Sequence, residues 1–238
     1  MKRIGLIGGM SFESSAVYYK LINERVRAVN GGLHSADLLL HSLNFQVIVD
    51  CQKAGRWDEA ARHLIDAARG LERAGADCVL ICTNTMHLVA DEVKGAIGIP
   101  LIHIIDETAA RLKQQAVRRP LLLATRYTME HGFYAGAMAR HGIDLRIPDA
   151  AGRTLVHDVI FEELCAGVVR PESRDRVEAL VTAAKDDGAD GVILGCTEIC
   201  LLLDPDRLPL PGFDSTRIHA EAAVAFALES DERGRDAA

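Results

Sequence analysis

No stretch of this sequence approaches the ~20 apolar residues that a helix needs to cross a bilayer. The apolar run after Lys2 and Arg3 is too short for a secretory core, so no export signal is read and a cytoplasmic location is expected. Basic charge is short as well: 27 Lys and Arg against 34 Asp and Glu leave a formal net charge of -7. That balance argues against broad binding to nucleic acid or to an anionic membrane, which needs a basic patch or stripe. It leaves room for a small ligand held by local donors. The six cysteines (Cys51, Cys78, Cys82, Cys165, Cys196 and Cys200) form no Cys-x-x-Cys pair and lack the histidine pattern of a zinc site. Free thiols and no metal are expected. The Gly5 to Gly9 segment lacks the G-x-G-x-x-G spacing, and no acidic residue ends a clear second strand some 20 residues later, which excludes a dinucleotide fingerprint.

What is present is a globular composition, 49% hydrophobic and 26% charged over 238 residues, enough chain for two lobes of roughly 110 residues. The chain also repeats itself. Residues 75–85 read GADCVLICTNT and residues 188–198 read GADGVILGCTE, without gaps, at an offset of 113 (188 minus 75). Each is a short apolar run ending in small and polar residues, the pattern of a buried parallel strand. Each follows a helical pattern, Trp57 to Ala74 and Arg174 to Asp187. A weaker echo links 4–13 with 121–130, and a third links the Asp-x-Thr of Asp106 and Thr108 with that of Asp214 and Thr216, each read as preceding a helix.

Alternating strands and helices of this kind give an α/β fold of two pseudo-symmetric lobes, each a parallel sheet flanked by helices, with the active site expected in the inter-lobe cleft. The expected division puts residues 1–98 with 209–228 in the first lobe and 99–208 in the second. Residues 229–238 are a charged tail expected to be disordered.

The offset names partners: Thr83 with Cys196, Asn84 with Thr197, Thr85 with Glu198. Cys82 stands one place out of register with Cys196, and one step along a strand turns a side chain to the opposite face, so Thr83 is favoured as its counterpart. Two proton-transferring groups on opposite sides of one carbon suit racemisation. A thiol with a pKa of about 8.5 must be lowered to act as base at neutral pH, and Cys196 ends a strand where a helix can open. Backbone N–H groups after Thr83 and Cys196, with Asn84, Thr85 and Thr197, are the candidate donors to an enolate-like carboxylate.

Gly8-Gly9-Met10-Ser11-Phe12-Glu13-Ser14, Thr83-Asn84-Thr85-Met86-His87 and Gly195-Cys196-Thr197-Glu198 resemble the signatures of the aspartate/glutamate racemase family over nearly the whole chain, up to about Leu228. The resemblance implies an amino-acid racemase that uses no pyridoxal phosphate, other cofactor or metal, and that forms a homodimer. It implies Cys196 as one acid/base group and Met10, Gln52, Asn84, Thr85 and Thr197 as substrate contacts. Ser11 and Glu198 are read as supporting residues: Ser11 also fits a helix cap, and Glu198 fits a cap or an orienting partner of Cys196. His87, one turn beyond its motif, is read equally as structural or functional.

Two departures stand out. Most of the family has cysteine where this chain has Thr83; the Cys-Thr-Asn-Thr-Met-His order resembles a subset of broad-specificity or L-selective amino-acid racemases. The family often has lysine where this chain has Cys165, which removes a cation suited to an acidic side chain. Two alternatives remain: a catalytically impaired amino-acid-binding protein, and a related isomerase or decarboxylase acting on a small carboxylate.

Overall fold

Four continuous apolar runs become fully buried parallel strands. In chain order the elements of the computed structural model, which describes residues 1–229, begin with β1 (Ile4–Gly8), α1 (Phe12–Asn30), β2 (Leu38–Ser42), α2 (Phe45–Lys53), α3 (Trp57–Arg73) and β3 (Cys78–Ile81). A tight turn over Thr85–Val89 leads to α4 (Ala90–Gly95), β4 (Leu101–Ile102) and α5 (Ile104–Gln114). Then come β5 (Pro120–Leu123), α6 (Arg126–Glu130), α7 (Phe133–Arg140), α8 (Ala150–Asp158), α9 (Pro171–Asp186), β6 (Gly191–Leu194), α10 (Ile199–Leu202), β7 (Gly212–Asp214) and α11 (Ser215–Leu228). The tail expected at 229–238 lies outside the described residues from 230 on.

All strand pairs are parallel, in two sheets ordered β2-β1-β3-β4 and β5-β6-β7. The repeat is visible in the strands themselves, since β3 and β6 begin at residues 78 and 191, again 113 apart. The second sheet has a trace of a fourth strand. Leu121 bridges Arg146 in parallel, and Arg146 donates to the Pro120 carbonyl and accepts from the Leu122 N–H, on the side of β5 where β1 carries β2.

The described residues divide into two compact units, one of residues 1–104 with 219–229, the other of residues 105–218. Residues 99–104 therefore stay with the first unit, where β4 pairs with β3, and residues 209–218 stay with the second, where β7 pairs with β6. The expected borders at 98 and 208 fall short of these places because each would cut off the last strand of its sheet. The chain changes unit inside α5 and again inside α11.

The first sheet is covered on both faces. Helix α3 buries Ala60, Ala61, Leu64, Ala67, Ala68 and Leu71, the three- and four-residue spacing of one helix face, against Ile7, Val79 and Ile81. Helices α1 and α11 cover the other face, with Tyr18, Ile22, Val26, Ala220, Ala223 and Val224 around Ile4, Leu6 and Leu80. A buried Leu or Ile of this kind contributes about 1.5–3 kcal/mol. Small residues on α3 and α11 let the helices lie close to the strands.

The two Asp-x-Thr segments, expected to precede a helix alike, differ in the structure. Asp106 does not precede a helix; it sits in the first turn of α5 and its Oδ1 meets His141 Nε2 at 2.8 Å. Asp214 ends β7 instead, and its Oδ1 accepts from the N–H groups of Thr216 and Arg217 at 2.9 and 3.1 Å, capping α11. The two Asp-x-Thr segments are not equivalent.

Candidate active site

In the first unit the carboxyl ends of β1 and β3 are stitched together by serines. Gly9 has φ +84° and a Cβ there would run into the Leu43 backbone, so only glycine lets the chain turn this closely. Its N–H donates to Ser15 Oγ at 2.7 Å, and Ser15 Oγ donates to the Ser11 carbonyl at 2.9 Å. Ser11 caps α1 by accepting the Ser14 N–H at 3.1 Å, as its sequence position suggests. Ser14 Oγ donates to the Cys82 carbonyl at 3.0 Å, tying the start of α1 to the end of β3.

Beyond β3 the alternation of faces separates neighbours. Cys82 is fully buried in the core under α1 and α11, and burial pushes its thiol far up. Thr83 is only half-buried. Asn84 and Thr85 follow, both buried, at the head of the Thr85–Val89 turn. Met10 is buried in the core cluster that also holds Cys51 and Met86, and the buried Gln52 amide donates to Met86 Sδ at 3.2 Å. Of the two residues expected to touch substrate, Gln52 is bonded to the Met86 thioether and Met10 is buried in the same core cluster.

His87 makes two bonds that define its protonation. Its Nδ1 lies 2.8 Å from the Thr83 carbonyl, and the Ile104 N–H donates to its Nε2 at 3.2 Å. A carbonyl only accepts and an amide N–H only donates, so the ring is neutral with its proton on Nδ1. Burial and the neighbouring rings of His103 and His219 push its pKa well below the ordinary histidine value. His219 is the mirror case: Tyr18 hydroxyl to Nδ1 at 2.8 Å, Nε2–H to the Ile102 carbonyl at 2.7 Å, and a pKa lowered to about 3 by burial.

In the second unit Gly195 follows β6 and donates its N–H to the Leu123 carbonyl at 2.8 Å. Cys196 comes next, partly buried, and its Sγ–H donates to Glu198 Oε2 at 2.9 Å. Glu198 stands before α10 but makes no side-chain cap bond, which decides between its two expected roles in favour of the thiol. The expectation that Cys196 would have a lowered pKa is reversed. Burial first and the Glu198 carboxylate second push it well above the ordinary thiol value, because burial disfavours the charged thiolate and the carboxylate disfavours a second negative charge beside it. Helix α10 has only four residues and offers little dipole to oppose them.

Thr197 Oγ1 lies 3.2 Å from Thr216 Oγ1, and Ser215 Oγ donates to the Leu194 carbonyl at 2.9 Å, so the start of α11 braces the turn after β6. The sequence pattern does not show this brace, because the Asp-x-Thr of Asp214 and Thr216 pairs by type with that of Asp106 and Thr108. Cys165, exposed on the turn Leu164–Ala166, is an electrostatic neighbour of Cys196. Among the described residues Cys51, Glu59 and His63 bring three potential metal ligands within 4.8 Å of one another. Arg56 already holds Glu59 at 2.8 Å and lies against Cys51, so the carboxylate has a resident cation partner. No helix among the described residues is long and apolar enough to cross a membrane.

These features define a two-sheet α/β protein with a hydroxyl and a thiol at matching strand ends. The chain belongs to the Asp/Glu/Hydantoin racemase family, whose model matches residues 7–223. It is 48% identical to a candidate Asp/Glu racemase from Yersinia pestis, covering 96% of this chain and 100% of that one with a TM-score of 0.91. An aspartate racemase homologue from Pyrococcus horikoshii OT3 is 33% identical over 95% of this chain and 99% of its own, with a TM-score of 0.85. The broad-specificity amino-acid racemase RacX of Bacillus subtilis is 23% identical over 94% of this chain and 98% of that protein.

Proposed function

We propose that this protein racemises an amino acid without a cofactor, by proton transfer at both faces of the α-carbon, with Cys196 as the base and Thr83 as the opposing donor. The observation that supports two-sided transfer is positional: Thr83 and Cys196 each stand two residues beyond the last residue of equivalent strands, Ile81 and Leu194. Family membership supports the reaction class.

The raised Cys196 thiol sets the order of events. Glu198 takes the Sγ proton, the thiolate so formed removes the α-proton, and Cys196 returns to the thiol. Thr83 relays a solvent proton to the other face, and Glu198 releases its proton to the hydroxide left behind. A threonine hydroxyl is a poor base but a competent relay, so the two half-reactions differ in speed. The equilibrium constant of one still requires equal kcat/KM in the two directions.

Asn84, Thr85 and Thr197, with the backbone N–H groups beside them, are the donors we assign to the substrate carboxylate. Cys165 adds no cation near Cys196, which favours a substrate whose side chain need not be acidic.

The test is incubation in D2O with L-glutamate, L-aspartate and a panel of neutral amino acids, following α-proton loss by NMR and handedness by chiral chromatography. Exchange with inversion that disappears in Cys196→Ala is the expected result. Exchange without inversion in the wild type, with inversion gained in Thr83→Cys, would retain Cys196 and demote Thr83. Saturable binding with no exchange would replace the racemase by an amino-acid-binding protein, a reading that the raised thiol and the Thr83 hydroxyl favour.

A further inference from the structure

We infer that His87 is a positioning residue for the Thr83 side of the reaction: a buried, neutral imidazole whose Nδ1–H holds the Thr83 carbonyl and thereby orients the Thr83–Asn84 peptide. The inference rests on the role proposed for Thr83 and adds to it a group that never touches the substrate.

The geometry carries it in three steps. First, the bond from Nδ1 to the Thr83 oxygen is 2.8 Å and closes over four residues, where a short turn leaves strand-end groups outside regular pairing. Second, the peptide is planar, with its N–H opposed to its C=O, so fixing the Thr83 carbonyl also fixes the direction of the Asn84 N–H, which points away from His87. A single side-chain bond thus sets the backbone that carries both the Thr83 hydroxyl and one proposed carboxylate donor. Third, the tautomer has no freedom. Nε2 receives the Ile104 N–H at 3.2 Å, which obliges the proton to sit on Nδ1. The ring is packed edge-on against His103 and His219, at centroid distances of 4.7 and 5.7 Å, which restrains it in this orientation.

Ile104 also ends the first unit where the chain leaves it, and Ile102, held by His219, lies two residues before. His87 therefore references the Thr83 turn to a fixed backbone point at the root of α5. A cap or core residue would serve stability alone; this bond also sets an angle at the proposed reacting group.

Two amide replacements separate the donor positions. His87→Asn places an N–H close to where Nδ1–H lies, whereas His87→Gln reaches toward Ile104 and leaves the Thr83 carbonyl without its donor. The expected result is inversion within a few-fold of wild type for His87→Asn. For His87→Gln a loss of roughly 10- to 100-fold in kcat is expected, the scale of an ångström of misplacement. Exchange of the enantiomer deprotonated by Cys196 should change little in either. Equal inversion by both variants overturns the inference, as does a parallel loss of exchange and inversion, which marks a merely structural role. Long-range 1H–15N NMR on the wild type reads the tautomer independently of activity. A proton on Nε2, or a cationic ring at neutral pH, also overturns it. Absence of any exchange in the wild type removes the racemase reading and the catalytic purpose of the bond with it, while the NMR result still reports on the bond itself.

Discussion

At the scale of single residues the decisive pair is Cys196 and Glu198, because one carboxylate has two opposing effects on one thiol. It disfavours the thiolate by its charge, and it offers the nearest acceptor for the thiol proton at 2.9 Å. Glu198→Gln separates them. Removal of the charge should let the thiol ionise at lower pH, seen as faster alkylation by iodoacetamide near neutrality, while α-proton exchange falls roughly 100-fold for want of the acceptor. If alkylation and exchange rise together, Glu198 only suppresses the thiol and is no part of the proton path. The nearness of these residues was legible in the sequence, two positions apart, but the direction of the effect was not. A strand end before a helix suggests a lowered thiol pKa, and only the three-dimensional placement shows a four-residue helix outweighed by burial and a carboxylate. The bond from Thr197 to Thr216 escaped the sequence because it joins residues 19 apart whose spacing carries no period.

At the scale of elements, strands β3 and β6 were legible because a parallel strand covered on both faces must be apolar at every position, a pattern that survives divergence. Helix α3 was legible for the complementary reason, its one-sided stripe. Strand β2 was not: Leu38–Ser42 is only half-buried at one end and exposed at the other, with His41 and Ser42 in it, so it lacks the continuous apolar run that marks its neighbours. The β6 end depends on glycine for room as much as for freedom. A Cβ on Gly195 would lie 2.7 Å from Cδ1 of Leu122 in β5 and 3.0 Å from Cβ of Ala124 just beyond it. Gly195→Ala should therefore destabilise the protein by about 1–3 kcal/mol, the usual cost of overpacking, and displace Cys196. Denaturant unfolding measures the first and exchange the second. Unchanged stability with full exchange would mean that β5 yields easily and that Gly195 serves only as a linker.

At the scale of the whole molecule, the division into units was half-legible. The repeat announces two sheets, but the places where the chain leaves one for the other, inside α5 and α11, follow from which strand pairs with which, and nothing local in the sequence encodes that. His219 lies at the crossing in α11 and His87 is bonded to Ile104 at the crossing in α5, and their protonation links the fold to pH. His87 and His219 are neutral when folded, with pKa values lowered from 6.5, His219 to about 3. A lowered pKa means that the unfolded chain binds the proton better, so the stabilising contribution is complete above pH 6.5 and is lost as pH falls from there toward the folded value. Each ring should remove about 1.4 kcal/mol per pH unit in that window. The chemistry agrees, since a proton added to His87 Nε2 would face the Ile104 N–H, and one added to His219 Nδ1 would deprive the Tyr18 hydroxyl of its acceptor. Carboxylates titrate over part of the same range, so the measurement is a difference. Unfolding free energies of wild type and His219→Asn, followed from about pH 6.5 to about pH 4, should diverge at neutral pH and converge on acidification, by close to one proton's slope. Parallel curves would mean that His219 is protonated in the folded protein, and the bond from its Nε2–H to Ile102 would then have to be held by a cation in the core.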